Sequence, residues 1–188
     1  VPGRDLAKWM TDNQPLPVSW ACECAYQVCL GLQHATEKGL IHRDIKPSNI
    51  VAMGASVSES PFVKILDLGL ALLSDDRSGN QAELTSENQV VGTVDYLPPE
   101  QLADTHHVDI RADIYGLGAT LYKLLTGDPP FPTSRYPTLL KKLSAITNAS
   151  IPPVETRRAD IPAGLAVVVA KMLSRDPQQR FAAPQDVV

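Results

Sequence analysis

The chain has 188 residues, with 17 Lys and Arg against 21 Asp and Glu, for a net charge of −4 at neutral pH. That length suits one domain able to bury a sizeable core, and the charge balance offers no general attraction to nucleic acid or to an anionic membrane surface. No apolar run of about eighteen residues and no signal-peptide pattern occurs, so no membrane contact is expected within the segment.

From the N-terminus, Asp5 to Met10 begins a short helix. Pro17 to Lys38 reads as a long one, because Trp20, Cys24, Val28, Leu32 and Ala35 recur at helical spacing and Gly39 stands where helices commonly end. Cys22, Cys24 and Cys29 share that helix. An odd number of thiols, without a second spaced pair or a nearby His, reads as reduced and packed rather than as a zinc or redox site.

The run Ile41-His42-Arg43-Asp44-Ile45-Lys46-Pro47-Ser48-Asn49-Ile50-Val51 gathers complementary chemistry in one short loop. Asp44 can accept the proton of an attacking hydroxyl. Lys46 can neutralise charge that builds on a transferring phosphoryl group. Asn49 can offer its amide oxygen to a hard cation such as Mg²⁺, which prefers oxygen ligands. Ile50 to Met53 and Phe62 to Leu66 form a hairpin around a Gly/Ser-rich connection. Asp67 ends it, with Gly69 two residues on to let the backbone turn. A carboxylate there can hold a cation between phosphates.

Leu70 to Val91 is polar with few apolar anchors and reads as a mobile loop. Gly92-Thr93-Val94-Asp95-Tyr96-Leu97-Pro98-Pro99-Glu100 follows it. Ile110 to Leu125 is a long central helix, opened by Asp109 and closed by Gly127 to Phe131. Tyr136 to Ile146 is amphipathic; its Lys141-Lys142 pair reads as a solvated charged face, with a docking helix as the alternative. Pro152-Pro153 is a linker, Ala163 to Leu173 a buried helix rich in Val and Leu, and Ala183 to Val188 the start of a final helix.

These runs, in this order, resemble the protein serine/threonine kinases, and the bacterial eukaryotic-like members in particular. The catalytic loop around Asp44, the Asp67-Leu68-Gly69 turn, the stretch ending in Pro98-Pro99-Glu100 and the Asp109 to Gly118 helix start carry the resemblance. It implies an α+β, mostly α, protein-kinase-like fold, here a helical C-terminal lobe with a small β-hairpin. It also implies ATP with Mg²⁺, or Mn²⁺ in its place, and transfer of the γ-phosphoryl group to Ser or Thr hydroxyls of protein substrates in the cytoplasm. Asp44 is then the base, Lys46 the phosphate-facing cation, and Thr93 a hydrogen-bond partner of both. Asn49 and Asp67 hold metal.

The same resemblance places Val1 and Asp5 at a hinge beside the nucleotide, and Val51 under the adenine ring, with Lys46, Asn49 and Asp67 at the phosphates. Arg43 is expected to meet a phosphate on Thr85 or Ser86, with Ser74 and Ser78 behind them. Structural parts fall to His42, to Leu68 (where the family has Phe, and which only packs), and to Gly69. Glu100 is implied to pair with Arg180, and Asp113 to accept hydrogen bonds from the catalytic-loop backbone.

The family's Gly-rich loop, strand Lys and helix Glu have no counterpart in the 43 residues before Asp44. Residues 1–188 are therefore expected to be a large lobe truncated at both ends, with an activation segment at 67–100. Such a lobe would need the missing small lobe as a partner and would be inactive alone. Two alternatives stay open. One is a non-catalytic kinase-like scaffold module. The other is a small-molecule phosphotransferase, although those usually lack the Arg43 position, the Thr93 segment and the Pro-Pro-Glu.

Overall fold

The computed structural model describes residues 3–54, 56–67, 94–103 and 108–188. The expectations for Val1, Leu68, Gly69, the loop from Leu70 to Val91 with Thr85 and Ser86, and Thr93 lie outside the described residues.

Among the described residues the chain is mostly helical. Strand β1 (Arg4–Asp5) leads into α1 (Leu6–Asp12), whose first turn is capped by the Asp5 carboxylate accepting from the Lys8 amide at 2.8 Å. Helix α2 (Val18–Glu37) buries Trp20, Cys24, Val28, Leu32 and Ala35, the stripe its periodicity predicts. It ends where Gly39 takes φ 73°, so that the Gly39 and Leu40 amides bond back to Thr36 and Ala35.

Strands β2 (Ile50–Met53) and β3 (Phe62–Ile65) pair antiparallel, with Ile50 opposite Ile65. The expected hairpin is real but gains a third strand: β1 pairs with β2, Asp5 opposite Val51. The two-residue strand carries no periodic signal of its own. It depends on Gly3, at φ 131°, where an added Cβ would lie 2.6 Å from the Val51 side chain. Gln27 of α2 holds the far edge of this sheet: its Oε1 accepts from the Val63 amide at 2.8 Å and its Nε2 donates to the Pro61 carbonyl at 2.8 Å.

Helix α3 (Pro99–Ala103) is short. Helix α4 (Ile110–Thr126) is buried on nearly every side from Ala112 to Leu125, as an axle through the core must be. Asp109 caps its start and Gly127, at φ 91°, its end. Gly118 lets the last helix approach, since a Cβ there would lie 2.8 Å from that of Met172.

Helix α5 (Leu139–Asn148) starts three residues later than expected, because Thr138 caps it after Pro137. A single turn, α6 (Val154–Arg157), follows the Pro152-Pro153 linker. Helix α7 (Ala163–Met172) is less buried than its composition suggests: Ala166, Val169 and Met172 face the core, while Val167 is two-thirds exposed. The expected final helix is one 3₁₀ turn, Pro184–Val187.

One hydrophobic core joins α1, α2, β2, α4 and α7 and reaches Ile45 of the loop before β2. A small second cluster, Phe131, Ala145 and Ile146, packs with Val94, Leu102 and Tyr136. Cys24 and Cys29 are buried in the main core, and Cys22 is half-buried; all three are free thiols, and burial pushes each one up from its ordinary pKa, Cys29 to about 12. Among the described residues no helix is long and apolar enough to cross a membrane.

Candidate active site

The site is built on Asp113. In the first turn of α4 it could serve as a dipole-stabilising carboxylate, yet it is turned inward and almost wholly buried. Its two oxygens accept from the His42 amide at 2.8 Å and the Arg43 amide at 2.6 Å. Burial pushes its carboxyl up, and these donors with the nearby His42 and Arg43 side chains pull it back only in part. Helix α4 thereby grips the loop that bears Asp44.

His42 fixes the loop from the other side. Its Nδ1 accepts from the Asp44 amide at 3.3 Å, so Nε2 carries the proton and donates to the Leu66 carbonyl at 2.7 Å. Arg43 adopts φ 66°, a left-handed conformation that side chains avoid unless the surroundings enforce it. Asp67 does the same at φ 57°. Two such residues, one before Asp44 and one just past β3, mark the region where backbone strain is concentrated.

Two functional groups converge on one oxygen of Asp44. Asp44 Oδ2 lies 2.8 Å from Lys46 Nζ and accepts from Asn49 Nδ2 at 2.9 Å, while that Nδ2 also donates to the Asp44 carbonyl at 2.8 Å. The Asn49 amide is thereby oriented with Oδ1 left as an acceptor. The Leu66 amide bonds the Asn49 carbonyl at 2.8 Å, which ties the approach to Asp67 to the same loop. Asp67 is exposed and makes no ion pair among the described residues.

Asn49 Oδ1 and the Asp67 carboxylate are oxygen donors of the kind a hard cation prefers. Among the described residues there is no group of three His, Cys, Asp or Glu that could hold a metal.

Residues 94–103 flank the loop. Gln101 Nε2 donates to the Arg43 carbonyl at 3.2 Å. Glu100 receives the Arg180 fork at 2.6 and 2.7 Å, and the same guanidinium donates to the carbonyls of Arg111 and Ser174 and lies 4.8 Å above the Tyr115 ring. The pairing expected from the sequence is thus in place.

Asp5 is engaged in capping α1 and pairs with Lys8 Nζ at 3.0 Å. Val51 is buried in β2 opposite Lys64. A cavity of about 660 Å³ between α4, α5 and α7 takes no residue from the loop 41–49.

Two features escaped the sequence reading. Lys142, taken for part of a solvated face, is fully buried and pairs with Asp95. The signal was its phase: Lys142, Ala145 and Ile146 share the buried face of α5, at i, i+3 and i+4. Gln101 left no such trace, because its role rests on a carbonyl 58 positions away.

Comparison with known proteins gives a consistent answer. Residues 1–187 match the family model of the protein kinase domain. The chain is 38% identical over 181 residues to the serine/threonine-protein kinase PknB of Mycobacterium tuberculosis, covering 96% of this chain and 27% of that protein. It is 31% identical over 188 residues to a probable serine/threonine-protein kinase of Clostridium acetobutylicum, covering 100% of this chain and 26% of the other. The chain thus spans just over a quarter of the length of these curated relatives. The crystal structure of the Mycobacterium tuberculosis PknI kinase domain, a double mutant, superposes with a TM-score of 0.68 at 25% identity, over 100% of this chain and 60% of that one.

Proposed function

The chain belongs to the protein kinase family, and on that premise we propose that it is the catalytic-loop lobe of an ATP-dependent serine/threonine protein kinase of the cytoplasm. Residues 67–100 serve as its activation segment. The observation that carries this reading is the convergence of Lys46 and Asn49 on the Asp44 carboxylate, with the strand leading to Asp67 tied to the same loop.

In this reading Asp44 orients a Ser or Thr hydroxyl of a protein substrate and receives its proton. The oxygen–phosphorus bond to the substrate forms as that between the γ-phosphorus and the β,γ-bridging oxygen breaks, and ADP leaves. Lys46 stabilises the γ-phosphoryl oxygens, and Thr93 hydrogen-bonds Asp44 and Lys46. Asn49 and Asp67 would hold Mg²⁺, which when bound neutralises phosphate charge. Val1, Asp5 and Val51 line the nucleotide side. The contribution of these groups is positioning and charge stabilisation.

Arg43 fits a regulatory part, because its Nε is buried with no hydrogen-bond partner among the described residues. A phosphate on Thr85 or Ser86 would supply that acceptor and order the segment. Activity also calls on a nucleotide-binding small lobe, so residues 1–188 by themselves are proposed to be inactive.

The test is phosphoryl transfer from labelled ATP to a generic Ser/Thr protein by the complete protein that carries this chain. Replacing Asp44 with Asn should lower turnover about 10²- to 10⁴-fold with ATP affinity nearly unchanged. Equal loss of ATP binding would remove the role of base, and no transfer by the parent protein would favour the non-catalytic scaffold.

A further inference from the structure

Helix α5 does not rest on the main core. Its buried residues Ala145 and Ile146 form, with Phe131, a separate cluster whose other members include Val94, the first residue of the turn Val94–Tyr96, and Leu102 beyond it. The helix and the segment 94–102 thus share one small hydrophobic unit. At its centre lies an ion pair: the Lys142 ammonium, fully buried, meets the Asp95 carboxylate and donates to Thr133 Oγ1 at 2.9 Å.

The neighbouring residue, Tyr96, takes a hydrogen bond on its hydroxyl from Lys123 of α4 at 3.2 Å. Further along the segment, Gln101 bonds the Arg43 carbonyl at 3.2 Å and Glu100 pairs with Arg180. The segment is therefore pinned to α4, to the catalytic loop and to the C-terminal turn. Beside the shared apolar cluster, the Lys142–Asp95 pair gives the segment a polar tie to α5. Removing Lys142 would take the hydrogen-bonded counter-charge from a buried carboxylate, with Lys123 as a further cation acting on it, and the turn would have to move to rehydrate it.

We infer that Lys142 is a positioning residue for the protein substrate: through Asp95 it sets the turn 94–96 of the segment whose Gln101 bonds the Arg43 carbonyl, next to the Asp44 that would orient the substrate hydroxyl. This rests on the kinase reading above. The nucleotide-facing Lys46 and Asn49 are held by Asp44 and not by the turn, so the effect falls on the protein substrate and spares ATP.

The experiment compares Lys142→Met, Lys142→Arg and the double variant Asp95→Asn/Lys142→Met in the complete protein. Lys142→Met should raise the KM for the protein substrate roughly tenfold while leaving the KM for ATP within twofold. Lys142→Arg should keep most of the parent behaviour. The double variant should recover much of the loss, because the stranded charge is gone.

An equal rise in both KM values, no rise in either, or a double variant no better than Lys142→Met would overturn the inference. Amide hydrogen exchange supplies a readout independent of turnover. Residues 94–103 should lose protection roughly tenfold in Lys142→Met while α4 keeps its own. Unchanged protection at 94–103 would refute the positioning role even if the parent protein transfers no phosphate. Absence of transfer with the exchange effect intact would instead count against the kinase reading alone.

Discussion

At the scale of single residues, Asp113 shows how one carboxylate can organise a site without touching substrate. Both its oxygens accept loop amides, and it is almost wholly buried. Replacing it with Ala leaves two donors unsatisfied, at a cost on the order of 2–5 kcal/mol, a large part of a typical domain's stability. Asn should be little better, since its amide NH₂ would face one of the two N–H donors. Urea unfolding of Asp113→Ala and Asp113→Asn, read beside the parent, checks this; a loss below about 1 kcal/mol would mean that the loop holds itself. Asp44, Asn49 and Asp113 stand out in the sequence because each lies in a short, contiguous motif. Lys142 was legible only in its helical phase, which a lysine-rich surface pattern hid. Asp67 and Arg43 were legible as residues, while their left-handed backbone conformations were not, because the surrounding fold imposes those.

At the scale of elements, the Glu100–Arg180 pair joins α3 to the turn after α7. Arg180 has donors for the Glu100 carboxylate and for the carbonyls of Ser174, Arg111 and Arg175 at once. Lysine offers one point charge in place of a planar fork and cannot reach all of these partners. Arg180→Lys should therefore be nearly as damaging as truncation, on the order of 3–5 kcal/mol, seen as a lower denaturant midpoint with unchanged slope. A loss within about 0.5 kcal/mol, as for an ordinary surface site, would show that the fork contributes little. Helices α2 and α4 could be read from the sequence because their apolar residues recur with helical period over many turns. Strand β1 and the single turn at the C-terminus could not, being too short for any period and dependent on what they meet. The apolar composition of α7 overstated its burial, since the fold covers only one face of it.

For the molecule as a whole, the buried ionisable groups act in the same direction. Cys24, Cys29, Tyr96 and Tyr115 are all held neutral by burial, their pKa values pushed above the ordinary 9.0 for thiols and 10.0 for phenols. Below pH 9 folded and unfolded chains alike keep these protons, and the stabilisation is complete. Between 9 and about 12, the value for Cys29, the unfolded chain releases thiol protons that the folded chain retains. Stability must then fall as pH rises, by about 1.4 kcal/mol per pH unit for each fully released proton. Urea midpoints at pH 7, 9 and 10 should stay level to pH 9 and drop beyond it; a flat profile to pH 10 would mean that these groups are solvated.

The grip of Gln27 on Pro61 and Val63 bears on how this molecule behaves among its own copies. Strand β3 is the outer rail of the sheet, and Phe62 on it is more than half exposed. An open rail next to an exposed aromatic ring is an invitation to foreign strands. A side-chain amide has the same donor and acceptor as a peptide group, so Gln27 stands in for a neighbouring strand along this stretch. One glutamine on a helix thus seals the seam where self-templated stacking would otherwise begin.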